Sequence, residues 1–180
     1  MKTEILGLAS DQGHRAGVAV PSAARPGGIR LSPASLAELA GEVAAAPASW
    51  QPIVQFSEER RWFRRLELTP EYEIWLLSWL PGQHTGFHDH GEAHGAFAVA
   101  RGELRETLAA PGSRRIRHRT ALAGSVTPFG RRHLHDVSNV AAVPAVSVHA
   151  YSPPLTAMRR YEMAAGGLAH VGTDWSETDW

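Results

Sequence analysis

Downstream of Trp50 the chain is a succession of short runs with strand character, each closed by a turn signal. The runs fall at residues 53–56, 62–68, 73–80, 95–100, 104–108, 115–122, 133–137, 145–151 and 158–163. Pro81-Gly82, Arg101-Gly102, Pro111-Gly112 and Phe129-Gly130 punctuate them. Strands this short cannot bury an apolar face alone. Many of them at this spacing predict an all-β sandwich or barrel, in which two sheets share one core. The 180 residues suffice for one such domain and not comfortably for two.

Ahead of the strands, Ser32-Pro33 offers a capping hydroxyl followed by proline at the first helical position. Leu36, Leu39, Ala40 and Val43 follow at helical spacing, and Pro47 closes the segment. We expect a short helix packed outside the sheets. Residues 1–31 are rich in Gly, Ala and Pro without a clear period, and read as an arm; residues 32–180 read as the single domain. The acidic, aromatic stretch at 166–180 carries no assignable role.

Composition removes several function classes. The chain has no cysteine, which excludes disulfides, cysteine-ligated zinc and iron–sulfur sites, and thiol nucleophiles. Eighteen basic residues balance eighteen acidic ones, so no long-range pull toward nucleic acid or an anionic membrane is expected. Only one of the basic residues, Lys2, is lysine. Arginine is therefore the default cation, and the cluster Arg114, Arg115, Arg117, His118, Arg119 reads as a solvated strand face. No apolar run approaches a membrane-spanning length or a secretory signal, so the default compartment is the cytoplasm.

The ten histidines are the remaining signal, and they cluster. In Gly82-Gln83-His84-Thr85-Gly86-Phe87-His88-Asp89-His90, residues two apart on a strand share a face. His88 and His90 would thus present two imidazoles to one metal ion. His84 reads as a loop histidine and His94 as, at most, an outer partner. Trp75 and Trp79 share a strand face and read as core.

The wider pattern, Gly82, five residues, His88-x-His90, four residues, Gly95, six residues, Gly102, resembles the first cupin motif, with Gly95 where that motif usually has glutamate. Pro128-x-Gly130, then His135, three residues and Asn139, resembles the second. His133 would restore the usual gap after Gly130 but lacks an Asn at the right offset, so His135 is preferred. The resemblance implies a cupin jelly-roll β-barrel, whose facing strands could bring His135 to the metal of His88 and His90.

Further segments narrow the resemblance. Trp79-Leu80-Pro81-Gly82, Arg101-Gly102-Glu103-Leu104-Arg105-Glu106-Thr107, His135-Asp136-Val137-Ser138-Asn139 and Ser147-Val148-His149-Ala150-Tyr151-Ser152-Pro153-Pro154 together are similar to the cysteine dioxygenase family, of the bacterial type, over roughly residues 55–165. That resemblance implies one Fe(II) per chain on His88, His90 and His135. It implies a hydrogen-bonded relay of Ser147, His149 and Tyr151 beside the metal, and a cis Ser152-Pro153 bond. Arg64 would bind the substrate carboxylate, with Arg65 as its rival if the strand register slips by one. The implied reaction oxidises L-cysteine with O2 to cysteine sulfinic acid in a monomer. The expected partners are a small thiol and O2, with neither nucleic acid nor membrane. Two alternatives stand beside it: the same chemistry on 3-mercaptopropionate or another small thiol, and a non-catalytic cupin that binds a metal or ligand. Mammalian members join the tyrosine to a cysteine by a thioether. Gly95 holds that position here, so the cross-link cannot form.

Overall fold

A computed structural model describes residues 30–176; the arm expected at 1–31 lies almost wholly outside the described residues. Helix α1 (Pro33–Ala44) begins as expected, with the Ser32 side chain accepting a hydrogen bond from the Ser35 N–H and proline in the first turn. Pro47 does more than end it, because it opens a single further turn, α2 (Pro47–Trp50).

Eleven strands follow: β1 (Phe63–Leu68), β2 (Glu73–Trp79), β3 (Phe87–His88), β4 (His94–Arg101), β5 (Glu103–Ala109), β6 (Arg117–Leu122), β7 (Val126–Phe129), β8 (Leu134–Ser138), β9 (Ala145–Ser152), β10 (Ala157–Ala164) and β11 (Gly167–Trp175). They form two sheets, ordered β1-β2-β9-β4-β7 and β11-β10-β3-β8-β5-β6. Every pairing is antiparallel. This is the expected all-β jelly roll of the cupin kind, with one correction. The two sheets face each other as separate layers, and no ladder joins them into a closed barrel among the described residues.

Three strands, β3, β7 and β11, lie outside the runs the sequence predicts, and the run at 53–56 is turn and irregular chain rather than strand. β7 is only four residues long and contains Pro128, which argues against a strand locally. It is tolerated because β7 is the edge of its sheet.

The five-stranded sheet is covered on both faces, which fixes the parity of each strand. Along β9, Val146, Val148 and Ala150 turn outward with Ile74, Leu76, Ala96 and Ala98 and pack beneath Leu36 and Ala40 of α1. Ala145 and Tyr151 turn inward with Leu77, Trp79, Phe97, Val99, Leu104 and Val137 to fill the space between the sheets. All eight β9 residues are consequently buried. At roughly 1.5–3 kcal/mol per fully buried large apolar side chain, the inner and outer clusters dominate the stability of the fold.

Candidate metal centre and active site

His88 ends β3, and its Cα pairs in register with that of His135 on β8. β3 is only two residues long, so His90 lies past its end rather than on the longer strand that the His-x-His spacing predicts. The turn is anchored by the residue between them. Asp89 is buried, and its carboxylate accepts from the Tyr161 hydroxyl at 2.7 Å, Arg159 Nε at 3.1 Å and the Gly91 N–H at 3.0 Å. With Asp89 tied to β10, its two histidine neighbours turn the other way, into the space between the sheets.

There the ring centroids of His88 and His90 lie 4.8 Å apart, those of His88 and His135 4.8 Å, and those of His90 and His135 5.1 Å. Each offers a nitrogen, and the three atoms lie within 4.8 Å of one another. Burial lowers the pKa of all three, so the imidazoles are neutral and their lone pairs available. His88 Nδ1 is 3.0 Å from the Gly86 carbonyl and His135 Nδ1 is 2.7 Å from Glu106 Oε1. Each Nδ1–H is thereby donated, which leaves each Nε2 free to ligate. Neither nitrogen of buried His90 has a hydrogen-bond partner. Three neutral nitrogens facing one point, one of them on an otherwise unpartnered ring, fit a bound divalent cation of the imidazole-preferring kind.

Glu106 enters the sequence motifs only as a flanking residue. It is fully buried on β5, opposite Arg119 of β6. Burial alone would raise its pKa. Hydrogen bonds from His133, His135 and Arg119 reverse the sign and hold it well below the usual carboxylate range. Oε1 accepts from His133 Nε2 and His135 Nδ1, both at 2.7 Å, while Oε2 accepts from Arg119 Nε. Arg119 is therefore more than a member of a solvated strand face, and His133 joins Glu106 and His135 in a second candidate group that shares His135 with the three histidines.

The relay residues alternate along β9 as expected and face inward. Ser147 Oγ lies 2.9 Å from His149 Nε2, and His149 Nδ1 lies 3.2 Å from the Tyr151 hydroxyl. Burial holds the pKa of His149 down at about 3, so its ring is neutral and carries one N–H. Trp79 Nε1 donates to Ser147 Oγ at 2.8 Å. Burial, and then the charge of Glu73, raise the Tyr151 pKa, so the phenol keeps its proton. The Ser152-Pro153 bond is cis.

Beside these groups lies a cavity of about 80 Å3, lined among others by Arg61, His88, His149, Tyr151 and Arg160. It is far smaller than the roughly 300 Å3 at which pockets for drug-sized ligands begin. Arg64 is not at the cavity. It is exposed and pairs with Leu76, an outward residue, while its parity mates Trp62 and Leu66 pack on the helix side. Phe63 and Arg65 pair with the inward-facing Leu77 and Trp75. Arg65 reaches buried Glu73 at 3.6 Å instead of the cavity. Arg61, two residues before Phe63, does line the cavity. Its NH1 donates to the His84 carbonyl at 3.1 Å, its guanidinium lies 4.8 Å from the Trp79 ring, and its Nε is buried without a partner. Burial lowers its pKa to about 10, which still leaves it protonated at neutral pH. Arg160 is occupied by Asp174 and the Thr85 carbonyl. Alternation from Phe63 leads to Arg61 once the inward face of β1 is known.

The solved structure of the TT1209 protein from Thermus thermophilus superposes with a TM-score of 0.51 at 17% identity, over 58% of this chain and 93% of that one, and supports the fold alone. Cysteine dioxygenase type 1 of Danio rerio is 29% identical over 143 residues, which are 73% of this chain and 71% of that protein. The Bos taurus protein of the same name is 29% identical over 133 residues, 67% of this chain and 64% of its own length. The family profile described as cysteine dioxygenase type I matches residues 34–164. That span runs from α1 through β10 and takes in the three histidines, the relay and the cavity arginines, and over it the chain belongs to the cysteine dioxygenase type I family.

Proposed function

We infer that this chain is an iron-dependent thiol dioxygenase that oxidises L-cysteine. Both oxygen atoms of one O2 are added to the cysteine sulfur, and the product is cysteine sulfinic acid. The observation that carries this reading is the convergence of three neutral, buried imidazoles beside a small cavity that also presents Tyr151 and a guanidinium whose buried Nε lacks a partner. One Fe(II) per chain on His88, His90 and His135 would supply dioxygen activation and a cationic seat that favours the thiolate.

The chain's own groups divide the remaining work. Arg61, with a buried Nε lacking a partner, binds the substrate carboxylate, since a fixed guanidinium fork suits a carboxylate. On this reading Arg61, which lines the cavity, has the role that the sequence resemblance implies for Arg64. Tyr151 donates a hydrogen bond into the cavity where negative charge develops on oxygen. His149 and Ser147 hold that hydroxyl in place. Phe63, Trp75, Leu77 and Leu155 give the cavity apolar walls that exclude water. The scale of the cavity suits a free amino acid.

Anaerobic reconstitution with Fe(II), followed by oxygen uptake and sulfinate detection on L-cysteine, 3-mercaptopropionate and cysteamine, tests this reading. Stoichiometric O2 consumption with cysteine ahead of both analogues is expected. Iron binding without thiol-dependent O2 uptake would leave only a metal-binding cupin.

A further inference from the structure

Of the three histidines, two have their outward nitrogen held by a hydrogen bond, His88 by Gly86 and His135 by Glu106. His90 has none. A buried imidazole nitrogen without a partner is a costly arrangement, and nothing polar fixes the rotation of that ring. It is nonetheless packed on both sides. The His90 centroid lies 4.8 Å from that of Phe129 at an interplanar angle of 30°, and 5.1 Å from that of Tyr151 at 31°. Phe129 and Tyr151 are themselves inclined at 61° with centroids 6.4 Å apart. His90 is thus wedged in a V of two aromatic rings, tilted about equally to each.

The V exists because of the residue between its arms. Phe129, Gly95 and Tyr151 form one row across β7, β4 and β9, with Phe129 and Tyr151 each paired in register with Gly95. A Cβ on residue 95 would stand 2.3 Å from Phe129 Cε2, 2.4 Å from its Cζ and 3.1 Å from Tyr151 Cδ1. The Phe129 ring therefore occupies the space that any side chain at 95 would need. Its other side stacks on His133 at 4.6 Å and 15°, and His133 is hydrogen-bonded to Glu106. Phe129 is gripped from behind and presses on His90 in front.

We propose that Phe129 is the positioning residue for His90, and that Gly95 is required because any larger residue would displace it: ring packing does for His90 what a hydrogen bond does for the other two ligands. The proposal rests on the metal reading of the three histidines. It concerns a group that touches a ligand and not the substrate, so metal affinity is the quantity it moves.

The test is Co(II) and anaerobic Fe(II) titration of the apoprotein in competition with a chelator, for wild type, Phe129→Leu, Gly95→Ala and the double variant, with the apoprotein Tm measured alongside. Leucine refills most of the volume but removes the flat face. We expect each single variant to bind metal about tenfold or more weakly, within the range seen when a ligand's outer partner is removed. The double variant should bind no more weakly than the weaker single variant, because both changes remove the same support. Should Phe129→Leu fail to fold, Phe129→Met, whose flexible side chain fills irregular gaps, carries the same expectation. Affinity within about twofold of wild type in a folded Phe129 variant overturns the proposal and leaves the metal site standing. Fully additive losses in the double variant also overturn it. Failure of wild type to bind either ion removes the metal reading itself.

Discussion

The indole Nε1–H of Trp79 donates to Ser147 Oγ at 2.8 Å, and that one bond orients everything beyond it. An indole can only donate. Ser147 accepts from it and, being fully buried, sends its own proton to its other partner among the described residues, His149 Nε2. His149 is neutral, so its proton sits on Nδ1 and is given to the Tyr151 oxygen. The tyrosine proton is then free to point into the cavity that Tyr151 lines. Polarity runs from Trp79 to the Tyr151 hydroxyl through three hydrogen bonds, the first fixed by the indole donor and the other two by the tautomer of His149 that it favours.

Trp79→Phe removes the donor while keeping an apolar ring. Ser147 can then rotate, His149 can take either tautomer, and Tyr151 loses its fixed proton direction. We expect kcat on cysteine to fall about tenfold, short of the 10²–10⁴ span typical of a whole acid–base contribution because the hydroxyl itself remains, with KM little changed. Steady-state kinetics check the split, and 15N shifts of the His149 ring report the tautomer directly. An unchanged ring tautomer in the variant would show that Trp79 only fills space.

Arg61 and Arg64 can be separated by comparing substrates. Loss of a charge-assisted pair costs roughly 2–5 kcal/mol. Arg61→Ala should therefore reduce kcat/KM on L-cysteine by roughly thirtyfold to several thousandfold. Cysteamine, which has no carboxylate, should lose much less. Arg64→Ala, on the exposed outer face of β1, should leave both thiols within about twofold of wild type. Equal losses on both thiols in Arg61→Ala would assign Arg61 to the fold through its bond to the His84 carbonyl.

Glu106→Gln keeps the shape of the side chain and deletes its charge. One amide group must then meet Arg119 on one side and two imidazole N–H groups on the other, and its NH2 has no acceptor in either direction. We expect apoprotein stability to fall by about 1–3 kcal/mol in urea unfolding. Iron affinity should fall about 10- to 100-fold, because His135 loses the carboxylate that fixes its tautomer. Metal content after dialysis against a weak chelator reads the second effect independently of the first.

What could be read from the chain and what could not divides along physical lines. The Ser147, His149, Tyr151 alternation is a sequence-local pattern whose geometry the strand period of β9 supplies, whereas His88, His90 and His135 are legible as motif spacings although the turn held by Asp89, and not a strand, carries His90 inward. Arg61 rather than Arg64 reaches the cavity because the faces of β1 are assigned by what packs on them. Trp62 and Leu66 lie under the helix cluster, which no pattern within residues 61–66 reveals. Glu106, Arg119, Phe129 and Trp79 act through cross-strand partners many residues away, at pairings such as Glu106 with Arg119 and Gly95 with Phe129. Those pairings are set by register, and register is a property of the assembled sheet. That the described sheets do not close into a barrel has the same origin, because closure depends on hydrogen bonds between sheet edges and not on the strands themselves.

The buried relay histidine should also leave a mark on the pH dependence of folding. The pKa of His149 is held at about 3 in the folded chain by burial, against an ordinary value near 6.5 once unfolded. Between those values the unfolded state binds a proton that the folded state refuses. Stability therefore rises with pH across this window, is fully present above about 6.5, and is lost progressively as pH falls toward about 3. His88, His90 and His135 act in the same direction in the apoprotein, since burial lowers each of them. The contribution of His149 is isolated by comparing wild type with His149→Gln, which does not titrate. Urea unfolding of both apoproteins from about pH 7.5 to about pH 4.5 should give a shallower decline in the variant, although it begins less stable at neutral pH through the disturbed bonds to Ser147 and Tyr151. Parallel stability curves across that range would mean that His149 is already solvated or charged in the native protein. The directional relay from Trp79 to Tyr151, which needs a neutral ring, would fall with it.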